Sequence, residues 1–180
     1  MNKNIRYPEA AGLFYPDNGD LLKKQLKKYL QSGLEQTGVL GAIVPHAGWV
    51  CSGAAAGLVY STLGLFDRYI ILGPNHHGFG SPISVYPEGE WVLPNGNMKI
   101  DSELVHILLK KTDAIKPDTD AHKREHSIEV QVPFILEQNP EAEFIPVSMY
   151  DYSLSSIKEV AEALYDIVSI SKQRIILIAS

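Results

Sequence analysis

Two short apolar runs in this chain both end in proline and then histidine. Val39-Leu40-Gly41-Ala42-Ile43-Val44 runs into Pro45-His46-Ala47-Gly48, and Tyr69-Ile70-Ile71-Leu72 runs into Gly73-Pro74-Asn75-His76-His77-Gly78. Short apolar runs bounded by Pro and Gly read as buried strands. In open α/β sheets, ligands bind outside the carboxyl ends of the strands. Both histidine loops therefore leave their strands on the edge where such a fold builds its site, and two imidazoles converging there describe a metal site.

The rest of the chain alternates between helical and strand patterns. Leu21, Leu22, Leu26, Tyr29 and Leu30 recur at helical spacing over residues 20–31, with Asp20 as the expected cap. Residues 52–63 are small and apolar, which suits a helix packed tightly against a sheet. Residues 81–100 are rich in turn formers and are expected to hold one or two short strands, arranged as a hairpin. A capped amphipathic helix is expected over 101–111 and a polar loop over 117–122. Residues 125–137 carry Ile128, Val132 and Ile135 at helical spacing, so with Pro133 inside, the helix either starts near Gln131 or kinks. Strand 144–149, helix 153–169 and strand 174–179 follow. Such alternation predicts an α/β fold with a mostly parallel sheet sandwiched by helices. Ile175-Ile176-Leu177-Ile178-Ala179 reads as a central strand, so a single domain over 1–180 lacking its C-terminal part is expected.

Charge and composition narrow the function. Lys and Arg number 16 against 21 Asp and Glu, a formal charge of −5 with no basic block, which argues against a nucleic-acid partner. The longest apolar stretches fall well short of a membrane span. Met1-Asn2-Lys3-Asn4-Ile5-Arg6-Tyr7-Pro8 lacks the apolar core of a signal peptide. The single cysteine, Cys51, excludes an internal disulfide framework, and a cytoplasmic protein is the default expectation.

Further chemistry centres on Ala121-His122-Lys123-Arg124-Glu125-His126-Ser127-Ile128-Glu129. His122, Glu125 and His126 spell H-x-x-E-H, in which two histidines on one helical face hold zinc and the glutamate activates water. The competing reading is a solvated, charge-laced helix start, preferred for His122, Lys123 and Arg124. His126 and Glu129, next to the apolar face, are the better candidates for catalysis. Cys51 reads either as a soft ligand or nucleophile, or as a small buried residue at a helix start, the second being favoured. Each strand-end histidine has its own plain alternative, a side chain bonded to a nearby carbonyl. No nucleophile elbow, P-loop or dinucleotide fingerprint is present.

Taken in order, several segments resemble the Memo family, whose bacterial and archaeal members are called AmmeMemoRadiSam system protein B. They are Arg6-x-Pro8, Ala11-Gly12-Leu13-Phe14-Tyr15-Pro16, Pro45-His46-Ala47-Gly48, Leu72-Gly73-Pro74-Asn75-His76-His77, Ile100-Asp101 and Glu125-His126-Ser127-Ile128-Glu129-Val130-Gln131-Val132-Pro133-Phe134. The resemblance implies the fold of the class III extradiol (LigB-like) dioxygenases, which hold non-haem Fe(II) with two histidines and a carboxylate. It implies His46 and His76 as metal ligands, with Fe(II) or else Cu as the ion, and His126 as a further histidine lining the pocket. The family's third ligand, a downstream cysteine, has no counterpart in this chain, and Trp49 and Cys51 stand where relatives have tyrosines. The expected roles are thus His46 and His76 for metal, His126 and Glu129 for catalysis, and Trp49 and His77 for substrate contact. Two functions remain open: a dioxygenase-like oxidoreductase, or an adaptor that binds a peptide or partner in the same pocket. Its ligand is then a small molecule or a peptide, with radical-SAM and AMMECR-type pathway proteins as further partners.

Overall fold

The computed structural model describes residues 4–180; Met1–Lys3, part of the stretch read as lacking a signal core, lie outside the described residues. The chain opens with β1 (Ile5–Arg6) and a turn-rich arm, then α1 (Gly19–Tyr29). Asn18, rather than the expected Asp20, caps this helix, its side chain accepting from the Asp20 and Leu21 amides. β2 (Gly41–Ile43), α2 (Trp49–Thr62) and β3 (Arg68–Pro74) follow, and the two histidine loops leave β2 and β3 as expected.

Three strands rather than one or two occupy the turn-rich segment, β4 (Ile83–Val85), β5 (Glu90–Leu93) and β6 (Gly96–Ile100), with β5 and β6 forming the expected antiparallel hairpin. α3 (Ser102–Leu109) is capped by the Asp101 side chain, which accepts from the Leu104 amide. β7 (Lys116–Pro117) and two single-turn 3-10 segments lead to α4 (Val132–Gln138). Pro133 sits in its first turn, where a missing N–H costs nothing, so the helix starts late rather than kinking. β8 (Glu143–Met149), α5 (Leu154–Ile170) and β9 (Ile175–Ala179) complete the order.

The strands form one nine-stranded sheet ordered β1-β5-β6-β8-β3-β9-β2, with β4 on β8 and β7 on β4. Its centre is parallel: β3 pairs with β8 from Arg68↔Glu143 to Pro74↔Met149, and with β9 from Arg68↔Ile175 to Leu72↔Ala179. β2 pairs in parallel with β9, so β9 lies between the two histidine-bearing strands. Among the described residues, only the β4–β8 and β5–β6 pairs are antiparallel. Helices flank the sheet in two groups, α1, α2 and α4 packing together and α3 packing on α5. Covered in this way, Tyr69, Ile70 and Ile71 of β3 are buried consecutively rather than alternately.

The small residues of α2 serve a close approach to α1, not to the sheet. A Cβ added at Gly53 would sit 2.6 Å from the Tyr29 ring, and one at Gly57 2.6 Å from Tyr29 Cβ. Only glycine permits the two helices to meet there.

The arm is fastened by a buried arginine. Arg6 lies 4.1 Å over the Trp91 ring, donates to the carbonyls of His122 and Glu125 at 2.8 Å each, and pairs with Glu129 at 2.7 Å. Glu129 also accepts from the Glu9 and Ala10 amides and from the Tyr15 hydroxyl. Removing one partner of a buried pair leaves the other charge uncompensated, which costs about 3–5 kcal/mol. Arg6→Ala is therefore expected to lower unfolding stability by about that amount in urea titrations followed by tryptophan fluorescence. A loss below about 1 kcal/mol would show that the pair contributes no more than an exposed one.

Candidate metal centre

Each histidine is delivered by a locally determined turn. His46 follows β2 through Pro45, and the loop closes onto α2 where Ser52 Oγ donates to the Ala47 carbonyl at 2.8 Å. His76 follows β3, and the turn after it is set by Asn75, whose Oδ1 accepts from the His77 and Gly78 amides at 3.2 and 2.8 Å. Gly78, at φ +66°, supplies the left-handed residue that this turn needs. His126 sits between Glu125 and Ser127, in a stretch of turns rather than the helix that the 125–137 spacing allowed.

These three imidazoles converge. His46, His76 and His126 each offer a ring nitrogen within 4.8 Å of the others, a group that could hold a metal ion. The His76 and His126 rings stack with centroids 4.7 Å apart, and His46 stands edge-on to both, at 5.3 and 5.9 Å. Phe14, from the arm, stacks on His126 at 4.1 Å. The sequence supplied two ligand positions and no third; here His126 offers a third ring nitrogen beside them, brought in by the chain's return rather than by any motif spacing.

Glu125 organises the group. Its carboxylate accepts from the His76 amide at 2.7 Å, sits 2.9 Å from His76 Nδ1, and also takes the His126 and Ser127 amides at 3.0 and 2.9 Å. Burial pushes this carboxyl up, but the hydrogen bonds from Ser127 and His76 outweigh it and hold it below the usual carboxylate value. With Nδ1 turned to the Glu125 carboxylate, Nε2 is the His76 nitrogen left for a further partner, and a carboxylate behind the ring is the usual second partner of a ligating histidine. Burial first, then the neighbouring His76, lower His46 below the usual imidazole value. His126 is lowered too, by burial against the opposing pull of Glu125, with the other histidines adding to the shift. Both rings are thus neutral at pH 7, the form that binds metals. Among the described residues His46 Nδ1 is buried without a well-formed hydrogen bond, and with three ring nitrogens within 4.8 Å of one another the residues fit a metal ion.

Of the other expected residues, His77 lies beside the histidine group, while Glu129, Trp49 and Cys51 are not among its ring donors. Glu129 is fully buried, and its carboxylate is taken up by Arg6, Tyr15 and the arm amides. Burial and the Glu129 carboxylate push the Tyr15 phenol up, so it stays protonated and donates. Trp49 is 2 % exposed, packs on Phe134 and donates from Nε1 to the Val130 carbonyl at 3.1 Å. His77 is exposed beside His76 and His126, on a hollow of about 470 Å³ walled by Ala10, Leu13 and Phe14 and rimmed by Arg124. Cys51 is exposed on α2 rather than buried, and among the described residues it is not part of the histidine group.

His122 does not join Glu125 and His126 as the H-x-x-E-H spacing allowed. It ends a 3-10 turn, is fully buried between Tyr86 and Trp91, and lies 3.2 Å from Ser84 Oγ. That spacing presents two histidines on one face only when the segment is helical, and here it is not. Burial, followed by the charge of Arg6, lowers its pKa to about 3.

Comparison with known proteins supplies the family context. A family model described as Memo-like protein matches residues 6–180. A MEMO1 family protein of Pyrococcus abyssi is 47% identical over 137 residues, which covers 73% of this chain and 47% of the relative. One of Methanosarcina mazei is 43% identical over 180 residues, covering 98% and 66%. One of Thermococcus onnurineus is 35% identical over 186 residues, covering 98% and 64%. The chain thus spans about half to two thirds of the length of these relatives.

Buried His122 generates a pH prediction. Between about pH 6.5 and 3 the unfolded chain takes up a proton on this ring that the folded chain does not. Stability therefore falls as pH falls, by up to about 1.4 kcal/mol per pH unit from this residue. His122→Asn is expected to flatten the dependence of unfolding free energy on pH between 6 and 4, whatever it does to stability at pH 7. Identical slopes for both proteins would place the acid sensitivity elsewhere.

Proposed function

Because this chain belongs to the Memo-like protein family, we propose that it is a metal-binding protein of the AmmeMemoRadiSam system, with His46, His76 and His126 as its donors and dioxygenase-like oxidation as its chemistry. The observation that carries this reading is the convergence of three imidazole nitrogens within 4.8 Å. Non-haem Fe(II) is the proposed ion and copper the alternative, since imidazole suits both. When bound, such an ion supplies a redox centre with coordination positions open to further ligands.

The chain's own residues then divide the work. Glu125 orients His76 through Nδ1, as carboxylate partners of ligating histidines do. Phe14 fixes the plane of His126 by stacking and keeps water from that side of the ring. His77 and the wall formed by Leu13 and Phe14 receive the substrate, a small molecule or peptide with an apolar part. Glu129 and Trp49 act from behind: one anchors the arm that carries Phe14, and the other packs under the His46 loop, its amide donating to the Phe14 carbonyl.

A second reading, a non-catalytic adaptor, draws support from the openness of that wall: Leu13 is 82 % exposed beside the histidines. A peptide from a radical-SAM or AMMECR-type protein would be its ligand.

Anaerobic metal analysis tests the first reading. Protein purified with Fe(II) is expected to retain about one ion per chain and His46→Ala to lose it. No metal in either protein, or equal metal in both, overturns the centre. Unchanged partner affinity in a folded His46→Ala/His76→Ala variant would then support the adaptor.

A further inference from the structure

The histidine loops leave the sheet beside backbone bonds from Val44 to the Ala179 carbonyl and from Asn75 to the Met149 carbonyl, and a proline adjoins each of them. Pro45 precedes His46 and Pro74 lies two residues before His76, and neither has an N–H to pin it. Their carbonyls are free to accept, and a single connected set of side chains takes both. Gln131, fully buried, donates from Nε2 to the Pro45 carbonyl at 3.1 Å and to Ser180 Oγ at 2.8 Å. Ser180 Oγ donates onward to the Ser127 carbonyl at 2.8 Å, one residue past His126. Ser127 Oγ donates to the Pro74 carbonyl at 3.0 Å. At its other end the Tyr60 hydroxyl, from the middle of the α-helical core, donates to Gln131 Oε1 at 3.2 Å.

Every donor in this chain of bonds is used once and in one direction. Gln131 spends both amide hydrogens, and each serine hydroxyl its single one. The order of the bonds is therefore fixed, and it touches all three histidine-bearing segments. Their approach is also close: a Cβ at Gly73 would lie 2.5 Å from Ser127 Oγ, so the residue before Pro74 has to be glycine for the serine to reach.

We propose that Gln131, together with Ser127 and Ser180, is a positioning residue that sets the three imidazoles relative to one another before any metal arrives. Glu125 already couples His76 to His126. No such carboxylate bonds His46; beyond the strand pairing, the Gln131 amide is the side-chain tie from its loop to the segment that carries His126. The proposal rests on the metal-centre reading for its purpose, while its geometry stands on the hydrogen bonds alone.

Two readouts keep these apart. Cobalt(II) affinity is measured on the whole chain by titrating its visible absorption, and contacts between imidazole ring protons are measured by NMR on the metal-free protein. Gln131→Met and Ser180→Ala are expected to weaken cobalt affinity of the folded protein about 10- to 100-fold, the usual effect of losing a partner behind a ligand. They should also erase ring contacts from His46 to His126 while the His76–His126 contact persists. Ser180→Thr, which keeps the hydroxyl, should restore both, so loss of fold in Gln131→Met would still leave the serine pair to decide. Altered ring contacts in a chain that binds no cobalt would support the positioning role and overturn the metal centre. Wild-type affinity and ring contacts in both disruptive variants would overturn the proposal.

Discussion

A single guanidinium holds together parts of this molecule that the sheet alone would leave apart. Arg6 leaves the short edge strand β1, is buried against Trp91, and spends its donors on the segment that carries Glu125 and His126 and on the Glu129 carboxylate. Desolvating such a charge costs several kcal/mol unless it is paired and hydrogen-bonded, and here it is both. The same carboxylate gathers the Glu9 and Ala10 amides and the Tyr15 hydroxyl, so the arm is drawn over the sheet edge. Phe14 reaches the face of His126 because of that closure. A charge pair that is no part of the histidine group therefore decides how one of its rings is covered.

The centre itself follows from parallel topology. β2 and β3 run the same way on either side of β9, so their carboxyl ends, and the histidines beyond them, emerge on one edge. The third imidazole comes from the turns ahead of α4, whose first residues pass beneath that edge. Three imidazole rings, an ionised carboxylate behind one of them and an aromatic cover over another form a site of mixed polarity, half open to solvent.

Much of this was legible in the residues. Apolar runs closed by proline and glycine marked β2 and β3, and the alternation of helical and strand periods marked the parallel sheet. His46 and His76 stood out because a strand end fixes where a side chain points. Other features were invisible for physical reasons. An H-x-x-E-H spacing has meaning only on a helix, and the turns over 120–131 send His122 into the core while His126 faces the centre. Glu129 reads as a candidate acid or base beside an apolar face, yet the arginine that claims it lies 123 residues earlier, and no local pattern records that. Gln131 was unremarkable in sequence because an amide's importance lies in which carbonyls it meets. Asn18 displaced Asp20 as a cap by two residues, the usual uncertainty of a helix end.

The position of β9 has a consequence in time. β2 and β3 are neighbours in sequence but not in the sheet; the strand that joins them is the last of the described elements to be made. A growing chain can pair β3 with β8 and fold the helices about them, yet the slot beside β3 stays open until β9 enters it, and β2 has no partner until then. Such long-range parallel pairing is slow, because loop closure precedes its reward. The juxtaposition of His46 with His76 therefore waits on β9 taking its slot between the strands that carry them.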